Sequence, residues 1–136
     1  MIVTDTNTIA YLYLPSDYSE DVEALLLKDA EWMAPLLWRS EHRNILAVLL
    51  RNGSISIDDA IEIQQQAEIL LSGNEFEVNS LDVLQIASES GCSAYDSEFV
   101  YLAKSTRSKL ITSDKKILKT FPDIASTAGD YVSSHS

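Results

Sequence analysis

The sequence predicts a three-layer α/β/α sandwich built on a central parallel sheet, and three observations lead there. Short β-prone runs alternate with helical patterns along the chain, an order that implies parallel strands joined by right-handed crossovers. Two of those runs, Ile2-Val3 and residues 109–112, lead into aspartates, Asp5 and Asp114, and functional groups gather beyond the carboxyl ends of parallel strands. The 136 residues, 46% of them hydrophobic, have room for one core and little else. A single domain over residues 1–130 is expected, with 131–136 an irregular, disordered tail that has nothing to bury.

Taken in order, Ile2 and Val3 form a first strand that ends at Asp5, and a helix containing Ile9, Ala10, Tyr11 and Leu12 runs up to Pro15. Ser19-Glu20-Asp21 opens a second helix, with Val22, Leu25, Leu26 and Ala30 at helical spacing and acids in the first turn, where the helix dipole favours them. Trp32-Met33-Ala34 reads as a short buried strand before Pro35, and residues 36–50 as a helix ending near Asn52-Gly53. Residues 56–71 carry Ala60, Ile63, Ala67 and Leu70 on one face, with Gly73 just beyond, and so pair with the preceding helix as a two-helix arm. Phe76 and Val78 alternate with Glu75 and Glu77, the pattern of a half-buried strand with the apolar pair inward. Residues 80–89 form a helix stopped by Gly91, and residues 93–103 the next. Residues 109–112 are a compact strand, 115–120 a short helix before Phe121-Pro122, and Ile124-Ala125 a last edge strand.

Composition bounds the function. No stretch approaches the ~18–20 apolar residues of a membrane-spanning helix. The start, MIVTDTNTIAYLYL, places an acid at position 5 and no base before Lys28, unlike a signal peptide. A soluble, cytoplasmic protein is expected. Cys92, the one cysteine, can form no internal disulfide and is expected in the core. A net charge of −11 argues against a nucleic-acid binder, but the bases are segregated. Arg39, Arg43 and Arg51 lie in one segment, and Lys104, Arg107, Lys109, Lys115, Lys116 and Lys119 in another. That distribution allows a basic strip on an acidic body.

Four acids stand out. Asp5 and Asp114 each precede a helix and would serve as ordinary N-caps. Asp96 follows Ser93 at capping-box spacing. Glu41 is harder to explain locally, because it sits in a helix with Leu37, Trp38, Ile45, Leu46, Val48 and Leu49, where a carboxylate at the core-facing edge is costly unless paired or metal-bound. Converging carboxylates repel one another until a hard divalent cation neutralises them. His42, next to Glu41, lies about 100° around the helix and is not expected to share a metal with it.

The runs Val3-Thr4-Asp5-Thr6-Asn7, Ser40-Glu41-His42-Arg43-Asn44, Ala94-Tyr95-Asp96 leading Phe99-Val100-Tyr101-Leu102-Ala103, and Leu110-Ile111-Thr112-Ser113-Asp114 resemble the successive motifs of PIN domains, most of all the VapC group. The resemblance spans residues 2 to about 120, with all four acids in the family's order. It implies a PIN fold whose four acids bind Mg²⁺ or Mn²⁺ and hydrolyse RNA, with Asp5 and Asp96 the most direct ligands. Beside such a site Asn7, Asn44 and Thr112 are expected to support the acids, and Arg39 and Arg43, which flank Glu41, and Lys115 and Lys116, which follow Asp114, are expected to border it and hold the RNA backbone. The resemblance further implies a small antitoxin and a second copy of the chain as partners. The chain departs from the pattern in two respects: it is acidic for an RNA-cutting toxin, and Gln64-Gln65-Gln66 stand where bases would be expected. The alternatives are a housekeeping nuclease without an antitoxin, a non-catalytic PIN-like module, and a receiver-type domain. The last needs adjacent acids after the first strand and a lysine at the end of a late strand, whereas here Asp5 is followed by Thr6 and the late strand ends in Thr112-Ser113-Asp114.

Overall fold

The computed structural model describes residues 1–135. Its strands are short: β1 (Ile2–Thr4), β2 (Trp32–Pro35), β3 (Glu75–Phe76), β4 (Leu110–Ile111) and β5 (Ala125–Ser126). The residues of β1, β2 and β4 are all buried, as expected for strands covered on both faces. All pair in parallel in the order β3-β2-β1-β4-β5, with Val3 opposite both Met33 and Leu110. The expected sandwich is therefore present. Chain order reverses between β1 and β4, which makes the gap beyond their carboxyl ends the topological switch point of the sheet.

Eight helices are found among the described residues: α1 (Thr6–Tyr13), α2 (Ser19–Lys28), α3 (Leu37–Arg51), α4 (Ile57–Leu70), α5 (Ser80–Ser90), α6 (Ala94–Thr106), α7 (Lys115–Thr120) and α8 (Ala128–Ser134). Six of them start on a side-chain cap. Asp5, Ser56, Asn79, Ser93, Asp114 and Thr127 each accept a hydrogen bond from a backbone N–H in the first turn, satisfying donors that the helix itself cannot. Gly91 ends α5 at φ 73°, a left-handed conformation that glycine adopts without strain. Right-handed crossovers put α1–α4 on one face of the sheet and α5–α7 on the other. The packing agrees: α6 lies against β1, β2 and β4 and against α5, while α1 touches α2 and α3, and α3 touches α4. Cys92 is buried, as expected.

Two expectations fail. In β3 the phase is inverted: Phe76 is exposed and Glu75 is the partly buried residue, because Glu75 is drawn inward by the Trp38 indole N–H at 2.8 Å and the Arg39 guanidinium at 2.6 and 2.7 Å. An ion pair here outweighs the alternation of apolar residues. The expected tail from 131 is helical through Ser134, where α8 packs on α2 and Tyr131 and Val132 reach the core. His135, within that same segment, stacks on the Tyr131 ring at 4.0 Å. Ser136 lies outside the described residues.

Candidate active site

The residues that follow β1 and β4 meet at the switch point. A cleft of about 270 Å³ opens there, lined by Asp5, Thr6, Asn7, Glu41, Asn44, Asp96 and Asp114 over an apolar floor of Ile45, Phe99, Leu110 and Ile117. Four elements each contribute one carboxylate. Asp5 caps α1, Glu41 projects from the second turn of α3, Asp96 from the first turn of α6, and Asp114 caps α7.

Capping and site chemistry coexist. Asp5 Oδ1 accepts from the Thr8 backbone N–H at 2.9 Å and the Thr8 hydroxyl at 2.6 Å, and Asp114 Oδ1 accepts from the Ile117 N–H at 3.0 Å. Among the described residues Asp114 Oδ2 is left without a partner, as is Glu41 Oε2, whose Oε1 accepts from the Thr6 hydroxyl at 2.7 Å. Thr112 ties the two strand ends together: its oxygen accepts from the Asp114 N–H at 3.0 Å, and its hydroxyl hydrogen-bonds the Asp5 carboxylate. Thr6 and Thr8 were not anticipated as contributors. The signal available in the sequence was the hydroxyl on either side of the Asp5-Thr6-Asn7-Thr8 turn, within reach of an adjacent acid.

None of the four acids joins an ion pair among the described residues. Burial raises the pKa of Asp5 most, with Thr112 and Thr8 pulling it down and Asp96 adding to the rise. Glu41 is raised by burial and then by Asp96 and Asp5, against the Thr6 bond. Asp96 is raised by burial and by Asp114, while Ser93 and Lys116 oppose. A fifth acid, Glu98 on α6, is raised by burial and by Glu41, so the negative field extends past the four expected residues.

This repulsion has a measurable sign. A carboxyl raised in the folded state stabilises the fold fully below its unfolded pKa of ~4.3, and that contribution is lost as pH rises through the folded value. Glu41→Gln, which keeps an acceptor for Thr6, should therefore match the parent Tm near pH 4 and exceed it increasingly toward pH 7, in chelator-treated protein. A pH-independent difference in thermal melts would show that Glu41 feels no such field.

The bases do not follow the expectation. Arg39 and Arg43 lie two residues before and after Glu41, about 200° around the helix, and so on the face away from the cleft. Arg39 is committed to Glu75 and, at 2.9 Å, to Glu68 on α4, and Arg43 donates to the Arg39 carbonyl at 3.0 Å. The expected role of this pair at the cleft rim is corrected by that geometry. Asn44, three residues on, does share the Glu41 face and lines the cleft, as does Asn7. Lys116 is near: it donates to the Gly91 carbonyl at 2.9 Å, and its charge acts on Asp96. Lys115 is exposed beside it.

His42 stays out of the cleft, as expected. It is fully buried, edge-on to Trp38, with Nδ1 2.7 Å from Gln64 Oε1. Gln64 Nε2 donates to Glu68 at 2.8 Å, so the Gln64 oxygen is the acceptor and His42 Nδ1 carries the proton. Gln64, a glutamine where a base was expected, thus belongs to a chain running His42, Gln64, Glu68, Arg39, Glu75 and Trp38 that locks α3 to α4 and β3.

The donor set suits a hard divalent cation: all four groups are oxygen donors, they repel one another, and of their oxygens Glu41 Oε2 and Asp114 Oδ2 have no partner among the described residues. As the side chains stand, no three acidic, histidine or cysteine groups among the described residues are arranged to hold a metal ion, so a cation would have to draw the carboxylates inward.

Comparison with known proteins finds chains similar to this one. A family model described as the PIN domain matches residues 2–122. Ribonuclease VapC3 of Pyrobaculum aerophilum is 28% identical over 134 residues, covering 89% of this chain and 95% of that protein. Among solved structures, PAE2754 from Pyrobaculum aerophilum superposes with a TM-score of 0.77 at 19% identity, over 98% of this chain and 87% of that one. FitAcB from Neisseria gonorrhoeae gives 0.71 at 18% identity, over 94% and 98%. A toxin–antitoxin complex from Klebsiella pneumoniae gives 0.67 at 16% identity, also over 94% and 98%.

Proposed function

The chain belongs to the PIN domain family, and on that premise we propose that it is a divalent-cation-dependent endoribonuclease, the VapC-type toxin of a toxin–antitoxin pair. The observation that carries this is the convergence of Asp5, Glu41, Asp96 and Asp114, none of them ion-paired among the described residues, on one cleft at the switch point of the sheet. The similarity to Ribonuclease VapC3 supports RNA as the substrate.

Asp5, Glu41, Asp96 and Asp114 would hold Mg²⁺ or Mn²⁺, one ion or two. Bound there, the cation lowers the pKa of a water and offsets charge building on the phosphate. The chain's own part is to hold the carboxylates in place. Thr8 and Thr112 fix Asp5, Thr6 fixes Glu41, and the Asp114 N–H to Thr112 bond sets the start of α7. Asn7 and Asn44 offer amides at the cleft edge to a phosphate oxygen or a water. Ile45, Phe99, Leu110 and Ile117 keep the floor dry, which strengthens every charge interaction above them.

Incubation of the purified protein with mixed RNA and Mn²⁺ tests this: fragments should appear with the parent and be absent with Asp96→Asn or with chelator. Equal cleavage by parent and variant would mean a contaminating nuclease. Of the four bases expected to bind phosphate, Lys115 and Lys116 are the two that keep that role. Replacing both with alanine should weaken RNA binding at low salt and reduce the slope of log K against log salt by about two, roughly one for each phosphate no longer neutralised. An unchanged slope in a salt titration would remove them from the RNA path.

The antitoxin, a homodimer and a cytoplasmic location are part of the same reading. Ile57, Ile61 and Ile69 on α4 are 59%, 49% and 75% exposed, an apolar surface that a partner helix would cover. Among the described residues no helix is long and apolar enough to cross a membrane. Growth arrest on expression, relieved by Asp96→Asn, separates a toxin from a housekeeping nuclease.

A further inference from the structure

Behind the acid cleft, on the far side of Thr8 and Thr112, lies a second cavity of about 180 Å³ enclosed by α1, the start of α2, the β4–α7 turn and the start of α8. Thr8 and Thr112 are its inner wall, and these are the two residues whose hydroxyls hold Asp5. Of its other polar side chains, Thr127 is committed as the α8 cap, its hydroxyl accepting from the Asp130 N–H at 3.1 Å, and four are free among the described residues. The Asp21 carboxylate, the Tyr11 and Tyr18 phenols and the Ser113 hydroxyl line the cavity, and none of these side-chain oxygens has a hydrogen bond or ion pair among the described residues.

The shape is fitted closely to Asp21. Gly129, where α8 crosses α2, leaves its Cα against that carboxylate, and a Cβ there would lie 3.1 Å from Asp21 Oδ2. The Tyr11 and Tyr18 rings, which also line the cavity, stack on each other at 5.0 Å between centroids, with Tyr18 46% exposed. A flat aromatic wall, a lone carboxylate and small hydroxyls around a space for one ring are the features that bind a nucleobase, stacked on an aromatic and read at its edge. A carboxylate accepts from exocyclic amino groups, so it selects bases that carry one.

We propose that this cavity is the subsite for the nucleobase next to the scissile phosphate, favouring cytosine, adenine or guanine over uracil through Asp21. This rests on reading the acid cleft as a ribonuclease centre. Ser113 leads into Asp114, so a strand with its phosphate at the acids would place a neighbouring base over this wall. It also gives an acidic chain a use for a carboxylate toward RNA, directed at a base edge and not at the backbone.

The test separates the cavity from the catalysis. Asp96→Asn protein in chelator is titrated with CMP, AMP, GMP, UMP and ribose 5-phosphate, following backbone amide NMR signals of Thr8, Ser113 and Gly129. The amino-bearing nucleotides should shift those signals with at least ~10-fold tighter binding than UMP, and Asp21→Ala, which removes the acceptor, should abolish the difference. Equal binding by UMP or ribose 5-phosphate, no shift with any nucleotide, or selectivity that survives Asp21→Ala overturns the proposal. Cleavage-site mapping on a randomised RNA then asks whether the base preference beside the cut is lost in Asp21→Ala. Were the parent to cleave no RNA, the ribonuclease reading would fall, while the nucleotide titration would still report on the cavity alone.

Discussion

Asp5→Asn is expected to lower RNA cleavage about 1,000-fold or more, roughly 4 kcal/mol of transition-state stabilisation, without lowering the stability of the metal-free protein. Both halves follow from one position. Asp5 is at once the α1 N-cap and the carboxylate facing Asp96, with Thr8 and Thr112 bonded to it. Asparagine is as good a cap as aspartate, so the helix start is kept. It has no charge to be buried or to be repelled by Asp96, so the metal-free Tm should stay level or rise by about 2–6 °C. Mn²⁺ should raise the Tm of the parent at neutral pH and do far less for the variant, because the cation relieves a repulsion the variant lacks. Calorimetry with and without Mn²⁺, beside a gel assay of cleavage, measures both. A variant that is inactive and also several degrees less stable would make Asp5 a structural residue.

Trp38→Ala is the change expected to cost the fold most. Trp38 is fully buried on α3, touches His42 edge-on and donates its indole N–H to Glu75. Aromatic-to-alanine changes in cores cost about 3–5 kcal/mol, against a total stability of about 5–15 for a domain of this kind. Here the substitution also withdraws one of the donors that hold Glu75, leaving Arg39 to do so alone. Because α3 carries Glu41, the loss should reach the cleft: urea midpoints fall sharply, and the surviving folded fraction binds Mn²⁺ more weakly. A cost below about 1 kcal/mol in urea unfolding would mean that the α3–α4–β3 lock contributes little.

Particular residues show what was readable in the sequence. Asp5, Asp96 and Asp114 were readable because each stands at a strand end or in a helix start, and the order of all four acids was readable through the resemblance of their motifs to PIN domains. Glu41 was readable because a carboxylate among apolar helix residues is an anomaly. Arg39 was misread because proximity in sequence was taken for proximity in space, and two residues on a helix are nearly opposite one another. Phe76 was misread because alternation carries no information about an ion pair formed with a helix some 36 residues away. α8 was missed because its seven residues, AGDYVSS, have little propensity of their own, and packing on α2 supplies what propensity does not.

By itself, then, the sequence determined the α/β/α sandwich and the placement of Asp5 and Asp114 at strand ends, which depend on short-range patterns: hydrophobic period, caps and strand-to-helix order. The grouping of the four acids came from the resemblance of the ordered motifs to PIN domains, not from those patterns. Tertiary structure alone decided that the four converge on one cleft with no ion pair among the described residues, that Arg39 is spent on Glu68 and Glu75, and that Thr6, Thr8 and Thr112 hold the acids. It alone set a second cavity with Asp21 against their far wall. These are outcomes of strand order and helix rotation, which bring together groups tens of residues apart, and no local pattern encodes which unpaired charge will face which.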